Sequence, residues 1–582
     1  MSAIASQEVK TRIVRHKQKN GDIYVLERKT EYDPVRKWNK VISTKLLSKI
    51  PKGSRIPVPT RPKKNNTAKK EEIAGPITAS RNHIGMMDVI AHVGAASGID
   101  DGIYANTDTG TAQKIISLAR YLLATNGQSL PGILTWQFNH PLPYADGISE
   151  DIYHDLFAQL GRDESLQQNF FAHRCAHIKG RPVLAYDSTT ISTYSENQIE
   201  ARHGFNKDGN GLKTIKLLTL YSIDTRQPVA FTKQPGNLPD VITLENALAQ
   251  LSALGLGDAE IITDNGYYSE SNLTALFLAH FDFVTRVKTS LKWVRAEIDR
   301  HMDGFGSVSS ACPFDTRTHG ITVAVMRDFV KVRKKAARKG IFKKGDEETF
   351  RRRVYLNLYF NSTWKAEEDA AFDDGLIALR GLLEEGAKLE DLSGSAQGKA
   401  SRYLHIKRRG RKTQVSFDEA ACAEAKKYHG FFALASNCER GPFECLGKYR
   451  GRGTIESFFE SMKQRVDGTR ARVWDADTLR GRMFVQFVAL CYYEYLSDEI
   501  RKMKGVLDVK NGDPAHDTVG ILAMERKLKS WLCNTPIYLV LQWFDAVEGV
   551  QVSSKLMSRR WTTEITARDR MFLKKLGMAV PD

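Results

Sequence analysis

The strongest constraint on the fold is the order of strand-like and helical patterns between residues 181 and 287. Short apolar runs at 181–187, 212–221 and 228–233 are followed by a helical stretch at 240–254, a run at 259–263, a helix near 269–280 and a run at 281–287. Short runs rich in apolar and β-branched residues predict strands, and a 3.6-residue period predicts helices. The order β-β-β-α-β-α-β predicts an α/β sheet with antiparallel strands first and helical crossovers after them.

Residues 291–428 interrupt this order. They mix strand-like runs at 320–326 and 354–359 with a helical run at 366–385, and the earlier pattern resumes at Tyr428-His-Gly-Phe-Phe-Ala-Leu-Ala-Ser. We therefore interpret the block as an inserted subdomain. The strand order around it is typical of a ribonuclease-H-like core.

The 582 residues are too many for one hydrophobic core, so several domains or subdomains are expected. A turn at Asn20-Gly21-Asp22 predicts a hairpin near the N-terminus, and four prolines with a basic run predict a linker after it. The predicted parts are a basic hairpin arm (1–50), a basic Pro-rich linker (51–80), a helical DNA-binding or packing domain (81–178), the first part of the core (179–290), the insertion (291–428), the second part of the core (429–500) and a helical C-terminal region (501–582).

Charge points to a polyanionic partner. Lys and Arg number 86 against 68 Asp and Glu, a net charge of +18, and the sequence pI is about 9.4. Such an excess favours nucleic acid, although charge alone specifies no site and a merely basic protein has the same composition.

The chain has no apolar stretch near the ~20 residues that span a bilayer and no signal-peptide core at Met1-Ser-Ala-Ile-Ala-Ser-Gln-Glu, so we expect a cytoplasmic protein without a membrane partner. Its seven scattered cysteines argue for a reducing compartment. Four residues could suggest a zinc site, namely Cys422, His429, Cys438 and Cys445, but the chain has no CxxC pair, so we interpret the cysteines as core or incidental thiols.

One stretch combines ordered charge with an apolar stripe. From Tyr449 the spacing is Tyr449-x2-Arg452-x3-Glu456-x6-Lys463, and on a helical wheel these residues fall within an arc of about 60°. Four apolar residues a quarter-turn away predict a buried face: Phe458, Phe459, Met462 and Val466. Gly451 and Gly453 predict that the regular helix begins near Thr454, with Tyr449 and Arg452 in its approach. An ordinary amphipathic surface helix has the same pattern, so the interpretation depends on partners elsewhere.

Three carboxylates supply those partners by their positions. Asp187 and Asp264 each end a predicted strand, and Glu456 lies on the helix that follows the insertion. Strand ends and a flanking helix can meet in space, and clustered carboxylate oxygens suit Mg²⁺ or Mn²⁺. Two such ions can assist phosphodiester chemistry without a covalent protein nucleophile.

The order Asp187, Asp264, Glu456, with the spacing of Tyr449, Arg452 and Lys463, resembles bacterial insertion-sequence transposases of the DDE class that carry a Y-R-E-K signature. Supporting phrases are "YDSTTIS", "IITDNGYYS" and "KYRGRGTIESFFESMKQRVDGTRARVW". The likeness covers about 180–290 and 430–500. It implies a ribonuclease-H-like catalytic domain with a β-rich insertion, a DNA-binding N-terminal region and dimeric cleavage in trans.

By this resemblance, the three carboxylates would bind two Mg²⁺ ions, for which Mn²⁺ can substitute. Tyr449, Arg452 and Lys463 would hold DNA phosphates near the scissile bond. Some relatives form a hairpin intermediate and stack a flipped base on a Trp from the insertion; Trp293 is the nearest candidate, with a buried core Trp as the competing interpretation. The implied partners are double-stranded DNA, as terminal inverted repeats and target, and a second copy of the chain. The implied location is the bacterial cytoplasm, at the nucleoid when DNA is bound.

The implied reaction is hydrolysis at each element end to free a 3′-OH, followed by attack of that 3′-OH on target DNA. Three alternatives stay open at this stage. They are a nuclease without strand transfer, a DNA-binding protein of the same fold that has lost catalysis, and an RNA-directed factor that uses the basic insertion.

Overall fold

The computed structural model describes residues 9–33, 37–59, 78–333, 343, 345–409, 412–513, 515–553 and 558–580. The chain divides into two compact units, each assembled from separate segments. The first unit contains Met1–Gly180, Ser188–Leu238 and Thr454–Asp582, and the second contains Arg181–Asp187 and Pro239–Gly453.

The strands are numbered in chain order. They are β1 (Val9–Lys17), β2 (Ile23–Asp33), β3 (Trp38–Ile50), β4 (Val58–Pro59), β5 (Thr78–His83), β6 (Val183–Thr193), β7 (Lys213–Ser222), β8 (Gln227–Pro235), β9 (Glu260–Thr263), β10 (Asp282–Val287), β11 (Ala311–Cys312), β12 (Asp315–Val332), β13 (Glu347–Asn361), β14 (Leu404–Arg409), β15 (Lys412–Phe417), β16 (Phe431–Ser436), β17 (Glu548–Ser553) and β18 (Ser558–Thr562).

The α-helices are numbered in the same way. They are α1 (Gly85–Ala96), α2 (Ile99–Tyr104), α3 (Thr109–Ala124), α4 (Ile133–Trp136), α5 (Glu150–Arg162), α6 (Glu164–Cys175), α7 (Asp240–Ala253), α8 (Glu270–Leu278), α9 (Lys292–His301), α10 (Ser362–Glu384), α11 (Gly394–Tyr403), α12 (Glu419–Lys426), α13 (Pro442–Gly451), α14 (Gly453–Arg465), α15 (Ala476–Val506), α16 (Val519–Asn534), α17 (Ile537–Trp543) and α18 (Ala567–Lys575). Within the described ranges, no helix combines the length and the apolar character needed to cross a bilayer.

The predicted order β-β-β-α-β-α-β is confirmed as β6, β7, β8, α7, β9, α8 and β10. In the second unit the strand order is β11-β12-β13-β16-β10-β9-β6. Strand β9 runs parallel to β6 and β10, whereas β16 runs antiparallel to β10 and β13. Strand β16 is buried at every position, which explains its nearly unbroken apolar sequence. The fold class is the predicted mixed α/β, ribonuclease-H-like one.

In the first unit, the antiparallel pair of β7 and β8 accompanies a helical bundle centred on α15. This 31-residue helix packs against α3 and α5 and is buried along most of its length. Two glycines allow the close approach to α5. A Cβ on Gly481 would lie 2.0 Å from the Phe157 carbonyl oxygen, and one on Gly161 would lie 1.8 Å from the Asp477 carbonyl oxygen.

The predicted N-terminal hairpin is present as antiparallel β1 and β2, and β3 extends it to a third long strand. The predicted basic linker lies for the most part outside the described residues, at 60–77. The C-terminal region contains three helices, as expected, but also β17 and β18. Strand β17 pairs with β5, more than 460 residues earlier in the chain, and local sequence patterns carry no signal of such a partner.

Candidate active site

Asp187 and Asp264 lie on neighbouring parallel strands of the second unit. Strands β6 and β9 pair with Ala185 opposite Ile262. If this register is continued by two residues, it places Asp187 opposite Asp264. Because side chains alternate with a period of two and strands lie about 4.8 Å apart, both carboxylates belong to the same face of the sheet as neighbours.

The prediction that both aspartates end strands is correct for Asp264 and wrong for Asp187. Asp264 follows the last residue of β9, whereas β6 continues six residues beyond Asp187 to Thr193. Ser188 has a turn preference, but it is followed by the β-branched Thr189, Thr190 and Ile191, which favour a strand. All four residues are buried, and β6 continues through them.

Tyr449 is the hydrogen-bond partner of Asp264. Its hydroxyl, carried by α13, donates to Asp264 Oδ1 at 2.9 Å. Burial, with a further contribution from the Asp264 charge, raises the pKa of Tyr449 to about 12. The phenol therefore stays neutral and acts as a donor at physiological pH.

Arg452 holds the other aspartate. Its Nη1 donates to Asp187 Oδ2 at 3.0 Å, and both side chains are largely buried, with exposed fractions of 12% and 13%. Within the second unit, one short segment thus supplies a donor to each carboxylate of the aspartate pair.

The helix that carries Tyr449 is held against β9 by a buried acid. Glu260, 3% exposed, forms ion pairs with Arg440 and with Lys448, the latter at 2.7 Å. Glu260 and Asp264 stand at opposite ends of the same short strand, so these pairs fix α13 relative to the strand that ends at Asp264. Sequence reasoning did not identify Glu260.

The helical environment of Tyr449 differs from the prediction. The start of α14 at Gly453 is within one residue of the predicted start near Thr454, and Arg452 precedes this helix as predicted. The difference is that Tyr449 lies on a separate helix, α13, which ends at Gly451. Gly451 and Gly453 therefore mark the break between two helices, and the burial of Cys445 and Leu446 stabilises α13.

Glu456 belongs to the first unit, on α14, and its side chain is exposed. The predicted apolar face of this helix is confirmed, because Phe458, Phe459, Met462 and Val466 are all buried. Phe458 packs beside Tyr221 of β7, with ring centroids 5.7 Å apart. The packed face therefore fixes the helix and presents Glu456 at its margin, as the helical wheel predicts.

Lys463 lies on the same helix, two turns after Glu456. Its Nζ is 2.6 Å from Asp208 Oδ1, in the loop between β6 and β7. The neighbouring Lys207 donates to the Ser188 carbonyl oxygen at 2.6 Å, and its ammonium lies over the Phe459 ring. The first unit therefore adds a loop lysine, which sequence analysis did not select, to the surroundings of α14.

The donor set of the predicted site suits a hard divalent cation. Asp187, Asp264 and Glu456 offer only carboxylate oxygens, which Mg²⁺ and Mn²⁺ prefer. The continued register of β6 and β9 makes the two aspartates neighbours, and the groups that contact them include a phenol and a guanidinium. The residues present therefore fit the predicted ions.

Residues 178–492 match the family model described as the transposase DDE domain. The chain belongs to this transposase family. The chain is also similar to the piggyBac transposase in a synaptic complex with hairpin DNA, at 11% identity and a TM-score of 0.32, over 81% of this chain and 84% of that one. A comparison with curated proteins gives no match.

The matched range of the transposase domain contains both aspartates, Glu456 and the residues of the Y-R-E-K spacing. The expectation of a DDE transposase is confirmed at this level. Members of this family cleave and join DNA and depend in general on divalent metal ions.

The transposase has an aromatic pocket in its first unit that sequence analysis missed. A cavity of about 330 Å³ is lined by Tyr194 and Trp474 together with Arg470 and Arg472. Both aromatic side chains are largely exposed, 66% and 73%, and the Arg470 guanidinium lies 4.9 Å from the Tyr194 ring centroid. Exposed rings beside arginines can stack nucleobases. The pocket forms where Ser192 and Arg470 pair through an isolated β-bridge. Because these residues are far apart in the sequence, no local pattern predicts the pocket.

Trp293, the predicted base-stacking residue, lies on α9 in the second unit and is half-buried. The Arg327 guanidinium covers one face of its ring at 4.3 Å. A base stacked on that face would have to displace Arg327. The base-stacking role of Trp293 stays a prediction.

The cysteines agree with the interpretation as core or incidental thiols. All seven are free, and five are buried. In the part of the chain that the structure describes, Cys422, His429, Cys438 and Cys445 do not form a group of potential metal ligands.

Proposed function

We propose that this DDE transposase binds the terminal inverted repeats of a bacterial insertion sequence, cleaves at the element ends by metal-assisted hydrolysis and joins the freed 3′-OH ends to target DNA. The observation that carries the proposal is the register of β6 and β9, which makes Asp187 and Asp264 neighbours. The spacing of Tyr449, Arg452, Glu456 and Lys463 supports it.

In this proposal Asp187, Asp264 and Glu456 hold two Mg²⁺ ions, with Mn²⁺ as a substitute. Such ions, when bound, activate a hydroxyl nucleophile and stabilise the leaving oxygen of a phosphodiester. The protein's own contribution is to position the three acids: β6 and β9 set the aspartate pair, and the packed face of α14 sets Glu456.

Tyr449 and Arg452 orient both the acids and the DNA. The neutral phenol fixes the Asp264 carboxylate through its hydrogen bond. Arg452 donates to Asp187 Oδ2 at 3.0 Å, and its guanidinium is the type of cation that matches the oxygens of a phosphate. In this proposal it also contacts the scissile phosphate.

The proposed partners are double-stranded DNA, as element ends and as target, and a second copy of the chain in the DNA complex. The net charge of +18 supports binding to DNA. The proposed setting is the bacterial cytoplasm, at the nucleoid when DNA is bound.

The experiment that tests this function uses the full chain and DNA that flanks its coding region on both sides. In Mg²⁺ we expect nicks that expose a 3′-OH at inverted repeats, and joining of a pre-cleaved end to a target plasmid, because the same carboxylates serve both steps. Chelation with EDTA should stop both reactions and leave end binding intact. Sequencing gels measure the nicks, and a plasmid-integration assay measures the joining.

Two outcomes contradict the proposal. Cleavage without joining of the pre-cleaved end indicates a nuclease. Binding without cleavage in either Mg²⁺ or Mn²⁺ indicates a DNA-binding protein without catalytic activity.

Replacement of Lys463 by alanine should weaken binding of element ends about 5- to 10-fold, the effect of one lost phosphate contact. Binding should also depend less on salt: the slope of the logarithm of the binding constant against the logarithm of the salt concentration should be smaller in magnitude by about one. Fluorescence anisotropy at several salt concentrations measures both quantities.

Lys527→Ala is the matched control, since it removes an exposed lysine from α16 of the same unit. It should change the affinity for the ends by less than a factor of about two, as surface substitutions away from a site do. If Lys463→Ala instead abolishes Mn²⁺ binding, the assignment of Lys463 to phosphate is wrong.

A further inference from the structure

Three potential metal ligands converge in the first unit, and none of them is among the residues assigned to DNA chemistry. They are His83 at the end of β5, His140 after α4 and Asp545 in the 3₁₀ turn between α17 and β17. One ligand atom from each lies within 4.8 Å of the other two. They come from distant parts of the sequence, so no local sequence motif predicts this cluster.

The ring of His140 faces acceptor oxygens on both sides. Its Nδ1 lies 2.8 Å from the Trp136 carbonyl oxygen, and its Nε2 lies 3.0 Å from Asp545 Oδ1. A neutral imidazole carries one proton, so it can donate to only one of these oxygens. A proton on Nδ1 leaves the Nε2 lone pair opposite a carboxylate. A cation on that side, either a second proton or a metal ion, removes this conflict.

His83 is compatible with the same cation. Its Nδ1 lies 2.7 Å from the Asp545 carbonyl oxygen and 3.9 Å from Asp545 Oδ2, and its Nε2 lies 4.0 Å from Glu548 Oε1. The short contact from Nδ1 to the Asp545 carbonyl oxygen fits a proton on Nδ1, and this tautomer leaves the Nε2 lone pair for a cation. Metal-bound histidines commonly give their other N–H to a carboxylate or a backbone carbonyl. The carbonyl oxygens of Asp545 and Trp136 fill this role for His83 and His140, respectively.

The backbone around the three residues is already fixed. The amide of His83 donates to Asn139 O at 2.8 Å, and the amides of Ile84 and Gly85 both donate to Val547 O at 3.0 Å. The rings are stacked in the order Trp136, His140, His83, with centroids 3.8 and 4.9 Å apart. Positions held by packing and backbone bonds lower the cost of assembling a metal site.

We propose that His83, His140 and Asp545 bind one divalent transition-metal ion of the Zn²⁺ type. Two imidazoles and a carboxylate suit Zn²⁺ better than Mg²⁺, and the side chains of His83 and Asp545 are 31% and 34% exposed, which leaves room for water as a fourth ligand. Tetrahedral ligands of Zn²⁺ lie about 3.4 Å apart. Binding would therefore widen the 3.0 Å contact between His140 Nε2 and Asp545 Oδ1 slightly and bring any pair near the 4.8 Å limit closer by about 1 Å. The ion would clamp β5, the loop after α4 and the turn before β17 to one another.

Zn²⁺ titration of the chelator-treated full chain by calorimetry, in excess Mg²⁺, tests the proposal. We expect one Zn²⁺ per chain and a rise in the thermal midpoint of about 3–8 °C at saturation. Both effects should be lost in His140→Gln and in Asp545→Asn, and both should persist in Asp187→Asn, which removes an acid of the proposed catalytic site.

Asp545→Asn keeps the size of the side chain, and its circular dichroism spectrum should equal that of the unmodified chain, so a folding failure of His140→Gln leaves the test valid. The proposal is overturned if the unmodified chain takes up no Zn²⁺. It is equally overturned if Asp545→Asn takes up Zn²⁺ with unchanged stoichiometry and affinity.

Discussion

Glu456→Gln should abolish both nicking at element ends and joining of a pre-cleaved end, with a loss of at least about 10³-fold, or roughly 4 kcal/mol of transition-state stabilisation. The amide keeps the size of the side chain but removes the charge that a metal-binding carboxylate provides. Affinity for element ends in EDTA should stay within a factor of about two, because the substitution removes no cation. Cleavage and integration assays in Mg²⁺, with anisotropy for binding, measure the three quantities.

The same helix offers a matched control. Glu460 lies one turn after Glu456, is exposed, and accepts a hydrogen bond from Gln464 at 3.0 Å. Glu460→Gln removes the same charge from the same element and should leave both reactions near the level of the unmodified chain. Efficient cleavage by Glu456→Gln in Mg²⁺, or equal losses in the two variants, would refute the assignment of Glu456.

Gly481→Ala should destabilise the first unit by about 3 kcal/mol, because overpacking against rigid backbone cannot relax through a rotamer change. The added methyl would lie 2.0 Å from the Phe157 carbonyl oxygen, where α15 crosses α5, so the two helices must separate. We expect the thermal midpoint to fall by about 6–12 °C. Scanning calorimetry of the full chain measures this shift.

Gly505 provides the comparison on the same helix. It lies in the last turn of α15, and a Cβ there would have no neighbour within 4 Å. Gly505→Ala should therefore be neutral or stabilising by up to about 1 kcal/mol. A midpoint for Gly481→Ala within about 1 °C of that for Gly505→Ala would show that the helix crossing is not rigid.

The sequence was sufficient for features that depend on local periodicity. Apolar runs and helical spacing give the order of elements at 181–287 and the buried face of α14, because burial imposes a period on the chain. The position of Asp264 after a strand followed from the same pattern. The family resemblance then connected the two aspartates with Glu456.

Features that depend on tertiary partners could not be predicted. The turn preference of Ser188 obscures the continuation of β6, although the β-branched residues after it favour a strand. The placement of Tyr449 on α13 depends on the burial of Cys445 and Leu446. The Arg452 contact to Asp187 spans 265 residues, and the exposed rings of Tyr194 and Trp474 come together only through the bridge at Ser192.

The hydrogen bond from Tyr449 to Asp264 can form only late in the synthesis of the chain. Its two residues are 185 positions apart. At about 5–20 residues per second on the ribosome, roughly 10–40 s pass between the addition of Asp264 and the addition of Tyr449. A nascent chain that has completed β6 and β9 therefore still lacks Tyr449, Arg452 and Glu456. Chains that terminate early would carry the aspartate pair without its donors. Under the proposed function, we therefore expect DNA cleavage only from molecules whose translation has passed α14.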